Sequence, residues 1–195
     1  MPYYPLFLEL KDRPCLVIGG GPVAFRKAAA LLRCGAKVTV VSPEFSAGLK
    51  RLARGRKVRW KGRRFRPADL DGMDLAVAAT DDETINRSAA REAKRRGIWI
   101  NVVDRPALCS FILPSVVRRG KLALAISTGG ASPALAKWIR RDLKSRYGPG
   151  FGQLLDRAGA ARPGVQRKVR GTTGRKRLFE EALNAYLRVL RRGKA

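Results

Sequence analysis

Histidine does not occur anywhere in this 195-residue chain. Its absence removes the usual general base near neutral pH, so neither a Ser-His-Asp triad nor a histidine-ligated metal centre can be built. Carboxylates must carry any proton transfer. Cysteine is scarce: Cys15, Cys34 and Cys109 are odd in number, widely spaced and form no C-x-x-C pair, which gives neither a disulfide framework nor a zinc site. No metal ligand set is expected. No apolar run reaches the length of a membrane span, and the opening MPYYPLFLELKDRP lacks a basic start, a long apolar middle and a small-residue cleavage site. A cytoplasmic protein with no membrane partner is therefore expected. Acidic residues are few as well, since 15 Asp and Glu stand against 42 Lys and Arg and leave a net charge of +27.

That imbalance is steepest in residues 134–195, where 17 basic residues face 4 acidic ones. A polyanionic partner would answer it, either nucleic acid or a small substrate bearing many carboxylates; a merely solvated Arg-rich surface would also account for it. No aromatic residue interleaves the basic run 162–177, so base stacking has no support there, and nucleic acid is not the expected partner. A nucleotide-sensing or RNA-binding module stays as the remote alternative.

The chain is organised around Cys15 to Leu32, CLVIGGGPVAFRKAAALL. A run with the length of a buried strand, Cys15 to Ile18, meets three glycines and then a helical pattern with Ala24, Ala28, Leu31 and Leu32 on one face. Gly19-x-Gly21-x-x-Ala24 fits the dinucleotide fingerprint in its G-x-G-x-x-A form. The first glycine permits the tight turn, the second lets backbone approach a pyrophosphate, and Ala24 lets helix and strand pack closely. The pyrophosphate would sit on unpaired N–H groups at the helix N-terminus.

Strand and helix then alternate. Leu6 to Leu10 reads as a short leading strand, Val38 to Val41 and Leu75 to Ala79 as buried parallel strands, Val58 to Lys61 as an edge strand, and Trp99 to Val103 as a further strand. Helices are expected from Phe45 to Arg54 and from Glu83 to Arg96, the latter ended by Gly97 as Gly35 ends the first. This is an α/β chain with a Rossmann-like parallel sheet. From Phe111 the pattern changes to an antiparallel pair, Ile112 to Val117 and Leu122 to Ser127, joined by a turn at Arg118-Arg119-Gly120-Lys121. Ser132 and Pro133 then open a helix whose apolar face is Leu135, Trp138, Ile139 and Leu143. After Tyr147-Gly148-Pro149-Gly150 the remainder is helical and basic, with a stripe of Leu178, Phe179, Ala182, Leu183, Tyr186, Leu187 and Leu190.

Candidate chemistry falls on the carboxyl edge of the sheet. Ser42 occupies the place where such folds offer an acid to the adenosine ribose, with Glu44 two residues late, which leaves NAD and NADP both open. Thr80-Asp81-Asp82 lies on the same edge; Asp82 reads equally as an N-cap or a ligand contact. Asp104 follows the Asn101-Val102-Val103 strand end, as an acid/base group or as a turn residue partnered by Arg105. Ser127 to Pro133 offers exposed backbone N–H groups ahead of a helix, either a second anion site or an ordinary capped connection.

GGGPVAFRKAAALL, VTVVSPE, AVAATDDETIN, NVVDRPALCSFILPS and AISTGGASPALAKWIRRDL, in this order and spacing, closely resemble the precorrin-2 dehydrogenase and sirohydrochlorin ferrochelatase module of the siroheme synthase family. The resemblance covers residues 3 to about 145 densely and the helical remainder loosely. It implies NAD-dependent oxidation of precorrin-2 to sirohydrochlorin, with insertion of ferrous iron as the alternative additional activity of some members. It implies three segments: an NAD-binding Rossmann domain over 1–113, a small α+β dimerisation segment over 114–146 exchanged within a homodimer, and a C-terminal basic helical domain over 147–195. By resemblance, Gly19, Gly21, Pro22 and Val23 contact the pyrophosphate region, Pro43 and Glu44 the adenosine side, and Thr80 and Asp81 complete the cofactor site. Asp104 matches the catalytic aspartate, and Ser127, Thr128, Gly129 and Gly130 fall at the tetrapyrrole site. Thr128 stands where some members carry a phosphorylated serine. Arg105, Arg118, Arg119, Lys137, Arg140 and Arg141 become candidate contacts for the acetate and propionate groups of the substrate.

Overall fold

Short apolar runs become the central parallel strands because helices cover them on both faces, and a more polar run pairs at one edge. In a computed structural model, which describes residues 3–168 and 171–192, these are β1 (Pro14–Ile18), β2 (Lys37–Val41), β3 (Val58–Lys61), β4 (Leu75–Ala78) and β5 (Trp99–Val102). Their order is β3-β2-β1-β4-β5. Side-chain alternation along central β1 divides the core in two. Cys15 and Val17 join the cluster under α1 (Pro22–Leu32) and α2 (Ala47–Arg54), while Leu16 and Ile18 join the cluster under α3 (Glu83–Arg95). The strand order turns back at β1, so a crevice opens at the carboxyl ends of β1 and β4, the place where open α/β sheets bind ligands.

The outer edge of β5 is closed by side chains. The Ile100 N–H donates to Ser110 Oγ at 2.7 Å and the Val102 N–H to Cys109 Sγ at 3.2 Å, while the Ser110 N–H donates to the Ile100 carbonyl at 2.8 Å. These bonds occupy an edge that would otherwise be free to pair.

On the other flank a buried carboxylate ties β3 to the following turn. Asp69, in the 3-10 turn Pro67–Leu70, accepts from Lys61 Nζ at 2.7 Å, from Arg63 Nη2 at 2.6 Å and from the Arg66 N–H at 2.9 Å. Burial alone would push this carboxyl up, but the hydrogen bonds from Arg63, Lys61 and Arg66 outweigh it and hold the group well below the usual carboxylate range.

The chain divides into two compact units, Met1–Leu113 and Pro114–Ala195. The second holds the antiparallel pair β6 (Ser115–Arg119) and β7 (Leu122–Ile126), then α4 (Pro133–Arg146), α5 (Gly150–Lys168) and α6 (Thr172–Arg192). Within it, the Arg119 guanidinium donates to the Tyr147 carbonyl at 2.9 Å and the Lys144 carbonyl at 3.1 Å, satisfying orphan acceptors at the C-terminus of α4.

Two sequence expectations need correction. Leu6 to Leu10 forms no strand: the strands beside β1 are β2 and β4, and Leu6, Phe7 and Leu8 lie exposed along an irregular segment. The antiparallel pair starts later and runs further than its apolar run suggests. Pro114 has no N–H to give a ladder, and Arg118 and Arg119 pair with Ala123 and Leu122, which leaves Gly120-Lys121 as a two-residue turn with Gly120 at φ 56°. The stripe on α6 is not fully covered, since Leu178 and Leu183 stay exposed; the Tyr186 and Leu190 side chains lie outside the described residues.

Candidate active site

Two loops face each other across the crevice. One is the glycine turn between β1 and α1, the other the exit of β4, and Gly19, Gly20, Gly21, Pro22, Val23, Ser42, Ala79, Thr80 and Asp81 line a cleft of about 180 Å³ between them. Gly19 takes φ +119°, and a Cβ there would strike the Ala79 carbonyl, so only glycine lets the two loops meet. Gly21 is different. A Cβ on it would meet nothing within 4 Å, so its backbone borders open space.

Gly21 is also the N-cap of α1 and offers no side chain to the helix end, while Pro22 fills the first helical position. The backbone N–H groups of Val23 and Ala24 therefore have no intrahelical acceptor and suit an anion. The cradle fits a dinucleotide pyrophosphate on these grounds: glycine where a side chain would intrude, and donors with the positive end of a helix dipole behind them.

The adenosine end of such a ligand would meet the loop after β2. Ser42 lines the cleft, whereas Pro43 and Glu44 are exposed and are not among its lining residues. The Glu44 carbonyl instead packs over Gly20, whose own carbonyl accepts from the Ser46 N–H at 2.8 Å. Trp60 Nε1 donates to the Ser42 carbonyl at 3.0 Å, and the indole stacks on Phe45 at 4.4 Å, which fixes this loop from the β3 side.

Asp104 stands two residues past β5 on the same carboxyl edge, exposed and outside the lining of the cleft. Its φ of 58° is left-handed, a conformation that costs a non-glycine residue about 1 kcal/mol or more. Backbone bonds on both sides impose it: the Val103 N–H donates to the Ala78 carbonyl at 2.9 Å and the Arg105 N–H to the Val102 carbonyl at 3.2 Å. Arg105 Nη1 donates to the Asp104 carbonyl at 3.2 Å while its Nε reaches Glu83 at 3.1 Å, so this guanidinium is committed locally. Half-buried Lys27 on α1 lies close enough to feel the Asp104 charge. Burial and Arg26 hold its amine below the ordinary lysine range, and Asp104 and Cys109 draw it partly back.

Ser127 to Gly130 belongs to the second unit. Thr128 Oγ1 donates to the Ser132 carbonyl at 3.1 Å and accepts from the Ser132 N–H at 3.2 Å, Ser127 Oγ accepts from the Gly129 N–H, and Ser132 Oγ caps α4 through the Leu135 N–H. Gly129 and Gly130 take φ of 63° and 90°. Of the candidate cations, Arg119 is spent on the end of α4, while Lys137 and Arg141 are exposed.

Comparison with known proteins gives this geometry a context. Residues 6–115 match the family model described as "Putative NAD(P)-binding", and residues 119–146 match that of the "Sirohaem biosynthesis protein central" region. A siroheme synthase of Methylobacillus flagellatus is 48% identical over 174 residues, covering 89% of this chain and 37% of that protein. The chain belongs to the siroheme synthase family. A second siroheme synthase, from Thioalkalivibrio sulfidiphilus, is 42% identical over 94% of the chain and 37% of its own length, so the chain spans well under half of these curated relatives. Among solved structures, SirC, a precorrin-2 dehydrogenase, superposes with a TM-score of 0.79 at 29% identity, covering 97% of this chain and all of that one. The nucleotide fold expected from alternating strands and helices is thus the fold of a siroheme synthase relative, and the region matched to the central family model lies in the second unit.

In this siroheme synthase module, the sequence reading gave no role to Gly20, which lines the cleft, or to Asn86, which bonds to the lining residue Thr80. Gly20 read as the free position of the fingerprint, although a Cβ there would collide with the Glu44 backbone and lie 2.6 Å from Ser42 Oγ. The third consecutive glycine was the available signal. Asn86 read as an ordinary helix residue, yet it is buried against the Thr80 loop. Asp82 resolves as a cap, its Oδ1 accepting from the Thr84 and Ile85 N–H groups.

Proposed function

We propose that this module oxidises precorrin-2 to sirohydrochlorin with NAD, using Asp104 as the acid/base group, and that it does so in the cytoplasm as a homodimer. The observation that carries the reading is the glycine-walled cleft with Asp104 on the same carboxyl edge, in a chain that resembles a solved precorrin-2 dehydrogenase along its whole length. Bound NAD supplies the hydride acceptor. The chain's own residues do the rest: Gly19, Gly21, Pro22 and Val23 admit and hold the pyrophosphate, Thr80 and Asp81 form the facing wall, and Pro43 and Glu44 flank the adenosine end. The left-handed backbone at Asp104 projects one carboxylate from a strand end, where it can take the proton that leaves as the macrocycle gives up a hydride.

NAD is favoured over NADP by the fate of the neighbouring cations. Ser42 follows β2 and its N–H donates to the Lys61 carbonyl, but the Lys61 and Arg63 side chains are both engaged by Asp69 and are withdrawn from a 2′-phosphate. Glu44 adds a repelling charge on that side. The carboxylate-fringed substrate is served by the net charge of +27, with Ser127, Thr128, Gly129 and Gly130 as its contacts in the second unit. Anaerobic incubation with precorrin-2 and NAD should generate NADH and the sirohydrochlorin spectrum, more slowly with NADP. The Asp104→Ala variant should lose about 10²-fold in kcat with little change in the affinity for NAD; full activity in that variant would discard its role.

Dimerisation is supported by the apolar surface of the second unit, where Trp138 on α4 is 63% exposed and Leu135 48% exposed. Light scattering should give twice the chain mass, and Trp138→Glu should shift it towards the single-chain mass.

A further inference from the structure

We infer that Asn86 is a positioning residue of the dinucleotide site, holding the Thr80 carbonyl off the cleft so that its lone pairs do not face the incoming phosphates. The inference rests on the dinucleotide reading given above. Asn86 is 5% exposed, and its Nδ2 donates to the Thr80 carbonyl at 2.9 Å. Because a carbonyl can only accept, the amide can have no other orientation. Its Oδ1 is buried and has no hydrogen-bond partner among the described residues. An idle buried acceptor costs on the order of 1–3 kcal/mol, so packing alone gives no reason for an amide where an apolar side chain of the same size would fit. What distinguishes the amide is its hold on Thr80.

That hold acts on the wall opposite the glycine turn. The Ala79 N–H donates to the Ile18 carbonyl at 2.8 Å, the Ala79 carbonyl packs on Gly19, and the Asp82 N–H donates to Thr80 Oγ1 at 3.2 Å. The Thr80 carbonyl is the acceptor of this turn that a buried side chain holds, and Asn86 draws it toward α3. Released, it would solvate into the cleft and place a negative dipole end where the N–H groups of Val23 and Ala24 invite an anion.

The test compares ligands with and without phosphate. Asn86→Leu keeps the outline, removes both Nδ2 and the idle Oδ1, and should melt within a few degrees of the parent chain. Its dissociation constants for NADH and ADP should rise about 10-fold, a loss of one charge-assisted contact's worth, while that for adenosine stays unchanged. Asn86→Ala, which removes the donor without burying a charge, should lose as much, and it decides the question should the leucine variant unfold. Equal ADP binding by parent and variant overturns the role, as does a proportional loss of adenosine and ADP, which would mean a general collapse of the wall. Failure of the parent chain itself to bind NADH or ADP would remove the dinucleotide reading instead, and the inference with it.

Discussion

Gly20→Ala should abolish measurable dinucleotide binding, although Gly20 is the position a fingerprint leaves free. The Cβ would overlap the Glu44 carbonyl and approach Ser42 Oγ to 2.6 Å, and the first of these is backbone that cannot swing aside like a side chain. To make room, the loop after β2 must lift from the glycine turn and break the bond from the Ser46 N–H to the Gly20 carbonyl. Gly21→Ala makes the informative contrast. Gly21 has φ −77° and ψ −177°, open to alanine, and its Cβ meets no protein atom within 4 Å. That variant should keep the parent melting temperature and lose affinity through a methyl group set where the pyrophosphate belongs. Gly20→Ala should lower both. NADH titration alongside thermal melting separates them, and a Gly20→Ala protein with parental affinity would mean that the two loops are not clasped.

Asp69→Ala should cost about 3 kcal/mol, toward the lower end for breaking a buried ionic network because the Lys61 and Arg63 heads reach water. For a chain of this size the melting temperature should fall on the order of 10 °C. The sign of the pH dependence follows from the depressed carboxyl of Asp69. Its contribution is fully present above the unfolded carboxylate range and drains away as the pH drops below about 4, where the unfolded chain takes up the proton first. Urea melts of parent and variant should therefore converge in acid and diverge toward neutrality. A constant gap across that range would show that the loss is packing rather than charge. The same variant should accept NADP more readily, since it frees Lys61 and Arg63 beside the end of β2.

The glycine turn, the buried strands and most helix boundaries were legible because local signals agree: apolar runs on β1, β2 and β4, positive-φ glycines at Gly35 and Gly97, and Ser132-Pro133 opening α4. The errors fall where a residue's role depends on a distant partner. Leu6 to Leu10 alternates like a strand but has no neighbour to pair with, and Arg118 and Arg119 look like a turn until their register with Ala123 and Leu122 is known. Asp69 reads as a loop acid, and only the arrival of Lys61 and Arg63 at its side makes it a buried anchor. The place of Asp104, two residues past β5 on the carboxyl edge, was legible, whereas its left-handed backbone was not, because aspartate adopts that region in only some of the turns it favours.

The border of β5 has one more consequence. A sheet that ends on a hydroxyl and a thiol, rather than on a row of amides, offers no template to a stray extended chain, so partially unfolded copies cannot stack through that side. Strand addition to the five-stranded sheet would have to begin at β3, which is four residues long and carries Arg59 in the open. That sheet is thus guarded at one rim by covalently attached mimics of a neighbouring strand and at the other by brevity and charge.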